Sequence, residues 1–224
     1  MDVAKGFLII DGKKIFDSKD MFQVVNPATE EVMGEVPVAN SKDIDKTINA
    51  ASDAFLNWSK KNPRVRSKIL HKAADIVRGD VEKIARILTL EQGKPLKEAI
   101  GEVKVSADIL DFYAEELKRV RGINYWMDSD NIKSQVIYQP IGVVAAITPF
   151  NYPVTLTAFK VAPALAAGNT VIVKPSSLTP ISVIHYLNCI INAGLPDGVL
   201  NCLAGPGEQI SENFIESPSI KKIS

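Results

Sequence analysis

The sequence has no apolar run approaching the roughly 20 residues that a membrane-spanning helix needs; its longest candidate, Ile141–Ile147, is the length of a strand. It has no surplus of charge of either sign. Lys and Arg number 26 and Asp and Glu 26, which argues against the basic excess or stripe of an electrostatic nucleic-acid binder. Cysteine is scarce: Cys189 and Cys202 are the only two, and their spacing matches neither a metal site nor a redox pair. The opening Met1–Gly12 lacks the basic region, apolar core and small-residue cleavage site of a secretory signal, so the expected compartment is the cytoplasm. The glycine fingerprint G-x-G-x-x-G is missing, and with it the support for an ordinary Rossmann unit. No internal repeat or low-complexity tract occurs within the 224 residues.

What is present has the texture of an α/β protein. Phe7–Ile10 runs into the turn signal Asp11-Gly12 and resumes at Lys14–Phe16. Phe22–Val25 and Val32–Val38 are further extended segments. Ser41 stands where a helix cap belongs, ahead of Ile44, Ile48, Ala51, Phe55 and Trp58 at three- and four-residue steps. Asn62-Pro63 is a second start signal, followed by a stripe from Ile69 to Leu88 that Gly93-Lys94-Pro95 interrupts. A third helix runs from Leu96 to Leu117 and ends before Gly122. Such long apolar faces need a partner layer. After a strand-like arm at Ser134–Tyr138, the continuously apolar Ile141–Ile147 has the composition of a strand covered on both faces, and Thr170–Lys174 is a second buried strand. With helices at Val154–Ala167 and Pro180–Ala193 and a strand at Val199–Leu203, the order predicts a right-handed parallel βαβαβ unit.

Ligands of open parallel sheets bind at the carboxyl ends of the strands. That singles out three loops: Thr148–Pro153, Lys174–Ser177 and Gly205–Glu208. They offer an amide, an ammonium with two hydroxyls, and small residues that allow close backbone approach, a polar floor suited to a nucleotide or a sugar.

In the same places the sequence closely resembles the aldehyde dehydrogenase superfamily. The matching stretches are Asn26–Thr29, Gln92–Pro95, Pro140–Val143, Thr148–Pro153, Ala167–Thr170, Val173–Ser176 and Gly194–Val199, in the family's order and spacing. The resemblance implies an α/β fold with a Rossmann-like parallel sheet and flanking helices, plus small β oligomerisation elements. It also implies oxidation of a small aldehyde to a carboxylic acid with NAD or NADP. In such enzymes a cysteine thiolate attacks the aldehyde, an asparagine amide and a backbone N–H hold the oxyanion, hydride passes to nicotinamide, and water releases the thioester. Asn151 matches the oxyanion asparagine, although an asparagine at a strand end can also cap the next helix. Lys174 matches the lysine that hydrogen-bonds the adenosine ribose, although a lysine ending an apolar strand commonly escapes to solvent. Ile147, Thr148, Pro149 and Phe150 match the segment lining the nicotinamide, Ser176 lies in the lysine's motif, and Gly207 matches the first glycine of the adenosine-phosphate loop. Its partner glycine is replaced by Ser211. Ser177 stands where NAD-preferring members often carry glutamate, which implies tolerance of NADP. The Leu88–Val103 stretch is similar to semialdehyde and lactaldehyde enzymes.

The family pattern places its general-base glutamate and nucleophilic cysteine beyond Ser224. The expectation is therefore the front part of such an enzyme: residues 1–133 as strands and helical layer of the cofactor domain, 134–140 as the arm of the oligomerisation element, 141–224 as the βαβαβ portion, and the catalytic domain absent. On its own it is expected to be inactive, with open sheet edges. A homodimer or homotetramer is the expected assembly of the full-length protein. The alternatives are a non-catalytic nucleotide-binding or oligomerisation module, should the polypeptide end at Ser224, and a CoA-acylating relative. Cys189 and Cys202 fall in predicted core elements. His71 and His185 lie within helices without an evident catalytic partner, and Glu91, Glu98 and Glu102 are expected on solvated faces.

Overall fold

The computed structural model describes residues 4–128 and 131–224; Met1–Val3, part of the stretch read for a signal, and Ser129-Asp130 lie outside them. The chain opens with β1 (Ala4–Lys5), β2 (Leu8–Ile10) and β3 (Lys13–Ile15). β2 and β3 form the hairpin that Asp11-Gly12 predicts. Both turn residues have positive φ, 54° and 70°, the form a two-residue turn between right-twisted strands requires. β4 (Met21–Val25) and β5 (Val32–Pro37) pair antiparallel, and β1 joins β5 in parallel.

Four helices follow: α1 (Ser41–Trp58), α2 (Pro63–Gly79), α3 (Val81–Gln92) and α4 (Leu96–Glu116). Two expectations need correction. Ser41 is the first helical residue and Asn40 is the cap: its side chain accepts from Asp43 N at 3.1 Å, and Asp43 accepts from Asn40 N at 3.1 Å, which satisfies two helix-start donors reciprocally. The stripe from Ile69 to Leu88 is also two helices. The chain leaves helical geometry at Asp80 (φ −100°, ψ 11°), after a glycine and at a residue whose short carboxylate competes for backbone donors. Gly93, at φ 86°, closes α3 in the left-handed form that favours glycine.

β6 (Ile123–Tyr125) and β7 (Ser134–Val136) make a separate two-stranded ribbon. The predicted alternation follows: β8 (Val143–Ile147), α5 (Pro153–Ala167), β9 (Thr170–Lys174), α6 (Pro180–Asn192) and β10 (Leu200–Cys202). Two further elements, α7 (Gly207–Glu216) and β11 (Ile220–Ile223), are absent from the sequence reading. α7 buries only Ile210 and Phe214, too thin a stripe to stand out, and β11 is a short edge strand with two lysines.

The central sheet has six strands in the order β11-β8-β9-β10-β2-β3. The first four are mutually parallel, and β2 returns antiparallel beside β10, so the amino-terminal hairpin completes the sheet. Every residue of β9 is buried. That requires cover on both faces: α1 packs on β9, β8 and β2, while α5 and α6 pack on the sheet and on each other beneath α2, α3 and α4. The Ala167–Thr170 motif ties these layers together. Gly168 ends α5 at φ 96°, Asn169 Oδ1 accepts from Ile141 N at 2.7 Å and Gly142 N at 3.2 Å, and Thr170 Oγ1 donates to Ala51 O of α1 at 2.9 Å. Among the described residues no helix is long and apolar enough to cross a membrane.

Candidate functional site

Because β8, β9 and β10 run the same way, the three predicted loops leave the sheet at one edge. Register places Ile147 beside Lys174, Thr148 N donates to Lys174 O at 3.1 Å, and Leu203 N donates to Val173 O at 2.9 Å. The second and third loops are joined directly, with Ser177 Oγ donating to Gly205 O at 3.2 Å. Ser176 Oγ accepts from Leu178 N at 3.2 Å and shapes the turn between them.

Lys174 does not escape to solvent. It is 6% exposed, and among the described residues its ammonium has no ion-pair partner. Burial pushes its pKa down, an effect that the nearby Cys202 opposes. The ammonium faces the start of α7: a Cβ added to Gly207 would sit 3.6 Å from Lys174 Nζ, and nothing else would lie within 4 Å of it. That helix start has no side-chain cap, so its first amides retain their capacity to donate. Lys174, Ser177 and Gly207 are thus brought together. On the neighbouring loop Ile147 is half-buried, Thr148 is buried with Oγ1 lacking a partner, and Pro149, Phe150 and Asn151 are exposed. Phe150 and Ser177 share a cavity of about 310 Å³ with Val25, Glu91, Gln92 and Thr179; neither Asn151 nor Lys174 lines it.

Asn151 does not cap α5. The capping position is Tyr152, in the left-handed region at φ 47°, with no side-chain cap bond. The amides that need acceptors, Val154 N and Thr155 N, donate to Glu102 Oε1 at 2.9 and 3.2 Å. The Asn151 amide is thereby left in solvent, without a partner among the described residues. Glu102 belongs to a pair that sequence reasoning misplaced. Glu102 and Glu91 are not on solvated faces; they are 5% and 3% exposed, while Glu98 remains exposed. Glu91 does for α6 what Glu102 does for α5, accepting from Ile181 N at 2.8 Å, Ser182 N at 2.9 Å and the Ser182 hydroxyl. No local signal marked them. α5 and α6 each begin with proline, and neither Asn151 nor Thr179, the residues that could cap them, bonds the helix amides, so those amides need acceptors from elsewhere.

Burial pushes the Glu91 carboxyl up from 4.5 to about 7, although the bonds from Ser182 and Ile181 favour its ionised form. Between those values the folded chain holds a proton that the unfolded chain has released. Stability should therefore fall as pH rises from about 4.5 to about 7, by at most about 3 kcal/mol. The midpoint of urea unfolding measured across this range should decline, and Glu91→Gln should flatten the decline. A profile identical in the two proteins would assign the dependence elsewhere.

No cysteine or histidine lies on the three loops, although Cys202 is close to Lys174. Cys189 and Cys202 are 2% and 0% exposed; burial raises both thiols, Cys189 to about 12, which makes them poor nucleophiles. His71 does have carboxylate partners, Asp111 Oδ1 at 2.6 Å and Glu115 Oε1 at 2.7 Å. Partial burial lowers its pKa, but these bonds outweigh that and raise it. The cluster joins α2 to α4 and has a structural role. His185 packs edge-on against Phe7.

These features define a layered, mostly parallel α/β chain whose polar loops gather at the carboxyl edge of its sheet. The sequence pattern described as the aldehyde dehydrogenase family matches residues 15–224, and the chain belongs to that family. It is 41% identical over 214 residues to the mitochondrial succinate-semialdehyde dehydrogenase of Arabidopsis thaliana, an alignment covering 95% of this chain and 40% of that protein. It is 36% identical over 217 residues to the D-glyceraldehyde dehydrogenase (NADP(+)) of Picrophilus torridus, covering 96% of this chain and 44% of the relative. Among solved structures, an aldehyde dehydrogenase from Brucella melitensis biovar abortus superposes with a TM-score of 0.95 at 38% identity, over 98% of this chain and 46% of that one. The chain spans less than half the length of these relatives.

Proposed function

We propose that this chain supplies the cofactor cleft and the oxyanion contact of an NAD(P)-dependent aldehyde dehydrogenase that converts an aldehyde to a carboxylic acid. The observation that carries the reading is the buried Lys174 ammonium, which has no counter-ion among the described residues and faces the uncapped start of α7. A buried cation is stable only when paired or well bonded, and an amide-rich helix start favours the same negative partner. The residues fit the adenosine ribose of a dinucleotide, with Gly207 leaving the approach open and the neutral Ser177 raising no barrier to a 2′-phosphate. Glu208, in the first turn of α7, carries a charge of the wrong sign. When bound, the nicotinamide supplies the hydride acceptor.

Ile147, Thr148, Pro149 and Phe150 form the wall beside it, largely through backbone, and Asn151 directs its amide N–H at the aldehyde oxygen as charge develops there. Residues 1–133 and 141–224 act together as the cofactor-binding unit, and the arm at 134–140 serves subunit association in a dimer or tetramer. The succinate-semialdehyde, glyceraldehyde and 3-sulfolactaldehyde enzymes among the relatives point to a small polar aldehyde, and the NADP-dependent ones agree with Ser177.

Titrating NADPH and NADH into the chain, followed by calorimetry, tests the reading. NADPH should bind, and Lys174→Ala should weaken it by about 10- to 100-fold, the worth of a charge-assisted hydrogen bond. Absence of binding by either nucleotide, or indifference to Lys174→Ala, would overturn it.

A further inference from the structure

The Gln92–Pro95 motif belongs to the family resemblance but has no part in the roles assigned above. Its lysine occupies an informative place. The Lys94 side chain is 9% exposed and forms an ion pair with Glu102, whose side chain is fully buried. Its ammonium also lies 4.2 Å from the centre of the Tyr152 ring, within range of a cation–π attraction. Glu102 in turn accepts from Val154 N and Thr155 N, and the Thr155 hydroxyl donates to the Glu102 carbonyl at 3.3 Å. One cation thus holds both ends of the turn that follows Asn151: the ring of Tyr152 directly, and the first amides of α5 through a carboxylate.

That turn needs holding. Tyr152 has φ 47° and ψ 50°, a left-handed conformation that a residue with a Cβ resists, and such strain persists only where the surroundings over-determine it. Asn151 immediately precedes it, is exposed, and among the described residues has no side-chain bond to fix its direction. Its aim therefore depends on the backbone of the next residue. We propose that Lys94 is a positioning residue for the Asn151 loop, clamping Tyr152 in its strained form so that the Asn151 amide points consistently at the place where a substrate oxygen would sit. This role rests on the function proposed above for Asn151.

Amide hydrogen exchange of the chain, resolved by segment, is the test. Lys94→Met keeps the apolar stem and removes the charge. It should accelerate exchange across residues 148–155 by about 10-fold or more while β8 and β9 keep their protection. Lys94→Arg keeps a cation for both partners and should restore slow exchange. Tyr152→Leu leaves the ion pair intact and should loosen the turn before Val154 alone; it decides the matter if Lys94→Met does not fold. In an intact dehydrogenase built on this chain, Lys94→Met should lower kcat by about 10- to 100-fold with the KM for nucleotide unchanged. Unaltered exchange in both variants, or an increase spread evenly over the whole chain, overturns the proposal. Failure of the wild-type chain to bind nucleotide would instead remove the proposed function and leave the exchange result standing.

Discussion

Alanine in place of Asn151 should reduce kcat for aldehyde oxidation by about 10²- to 10³-fold in an intact dehydrogenase built on this chain, the usual cost of deleting one oxyanion donor. The size follows from the chemistry of the group. A side-chain amide donates to developing negative charge without having to titrate, and in a site closed to water that bond is far stronger than in solvent. Asn151 is free to do this because Glu102, and not Asn151, satisfies the first amides of α5. The same fact predicts a specific kinetic pattern. Removing Asn151 should leave folding and nucleotide KM almost unchanged, since neither the α5 start nor Lys174 depends on it. Asn151→Asp should be at least as harmful, because a carboxylate would face the nascent oxyanion with charge of the same sign. Steady-state kinetics with thermal melts of both variants provide the check. A kcat within threefold of the parent would show that the oxyanion is held by other groups.

Glutamate at position 177 should turn the site against NADP, lowering NADPH affinity by about 100-fold and NADH affinity by no more than a few-fold, since opposed like charges cost several kcal/mol. Ser177 now donates to Gly205 O, near the Lys174 ammonium, which has no ion-pair partner among the described residues. A carboxylate there would draw that ammonium to itself, accept from a 2′-hydroxyl and repel a 2′-phosphate. Added salt should narrow the gap, because the site is only partly shielded from solvent. Competition titrations of both nucleotides at two ionic strengths would measure it. A parent chain that already binds NADH more tightly, or a variant with an unchanged ratio, would contradict the assignment of Ser177 to the ribose.

The parts of the fold legible in the sequence were those in which burial imposes a pattern over a whole element. Val171–Val173, the middle of the Thr170–Lys174 segment, is apolar because helices cover both faces, and the segment's limits are those of β9. Asp11-Gly12 specifies its hairpin through two positive φ values. The helix break at Asp80 escaped because Gly79 and Asp80 disturb neither the apolar stripe nor its period. α7 and β11 escaped because each buries too little to leave a periodic trace. At the site, the loops themselves were readable from strand order, while the roles proposed for Asn151 and Lys174 come from resemblance. The environments of Glu91 and Glu102 were not readable. A glutamate on a helix carries no local mark of whether it meets water or the amides of a helix many residues later in the chain. Nor did the helix starts give them away: Asn151 and Thr179 both stand where a cap would be read, and neither bonds the amides of its helix.

That arrangement also bears on how the chain can be divided. The starts of α5 and α6 are completed by acceptors located 52 and 90 residues upstream, on helices that make no strand of the sheet. An excised segment beginning near Ile141 would retain the four parallel strands and helices α5 and α6, yet leave each helix with dangling donors in an apolar setting. The helical layer is therefore less a cover laid over a finished nucleotide fold than the missing ends of that fold's own helices. The two regions should gain their final form in a single cooperative step.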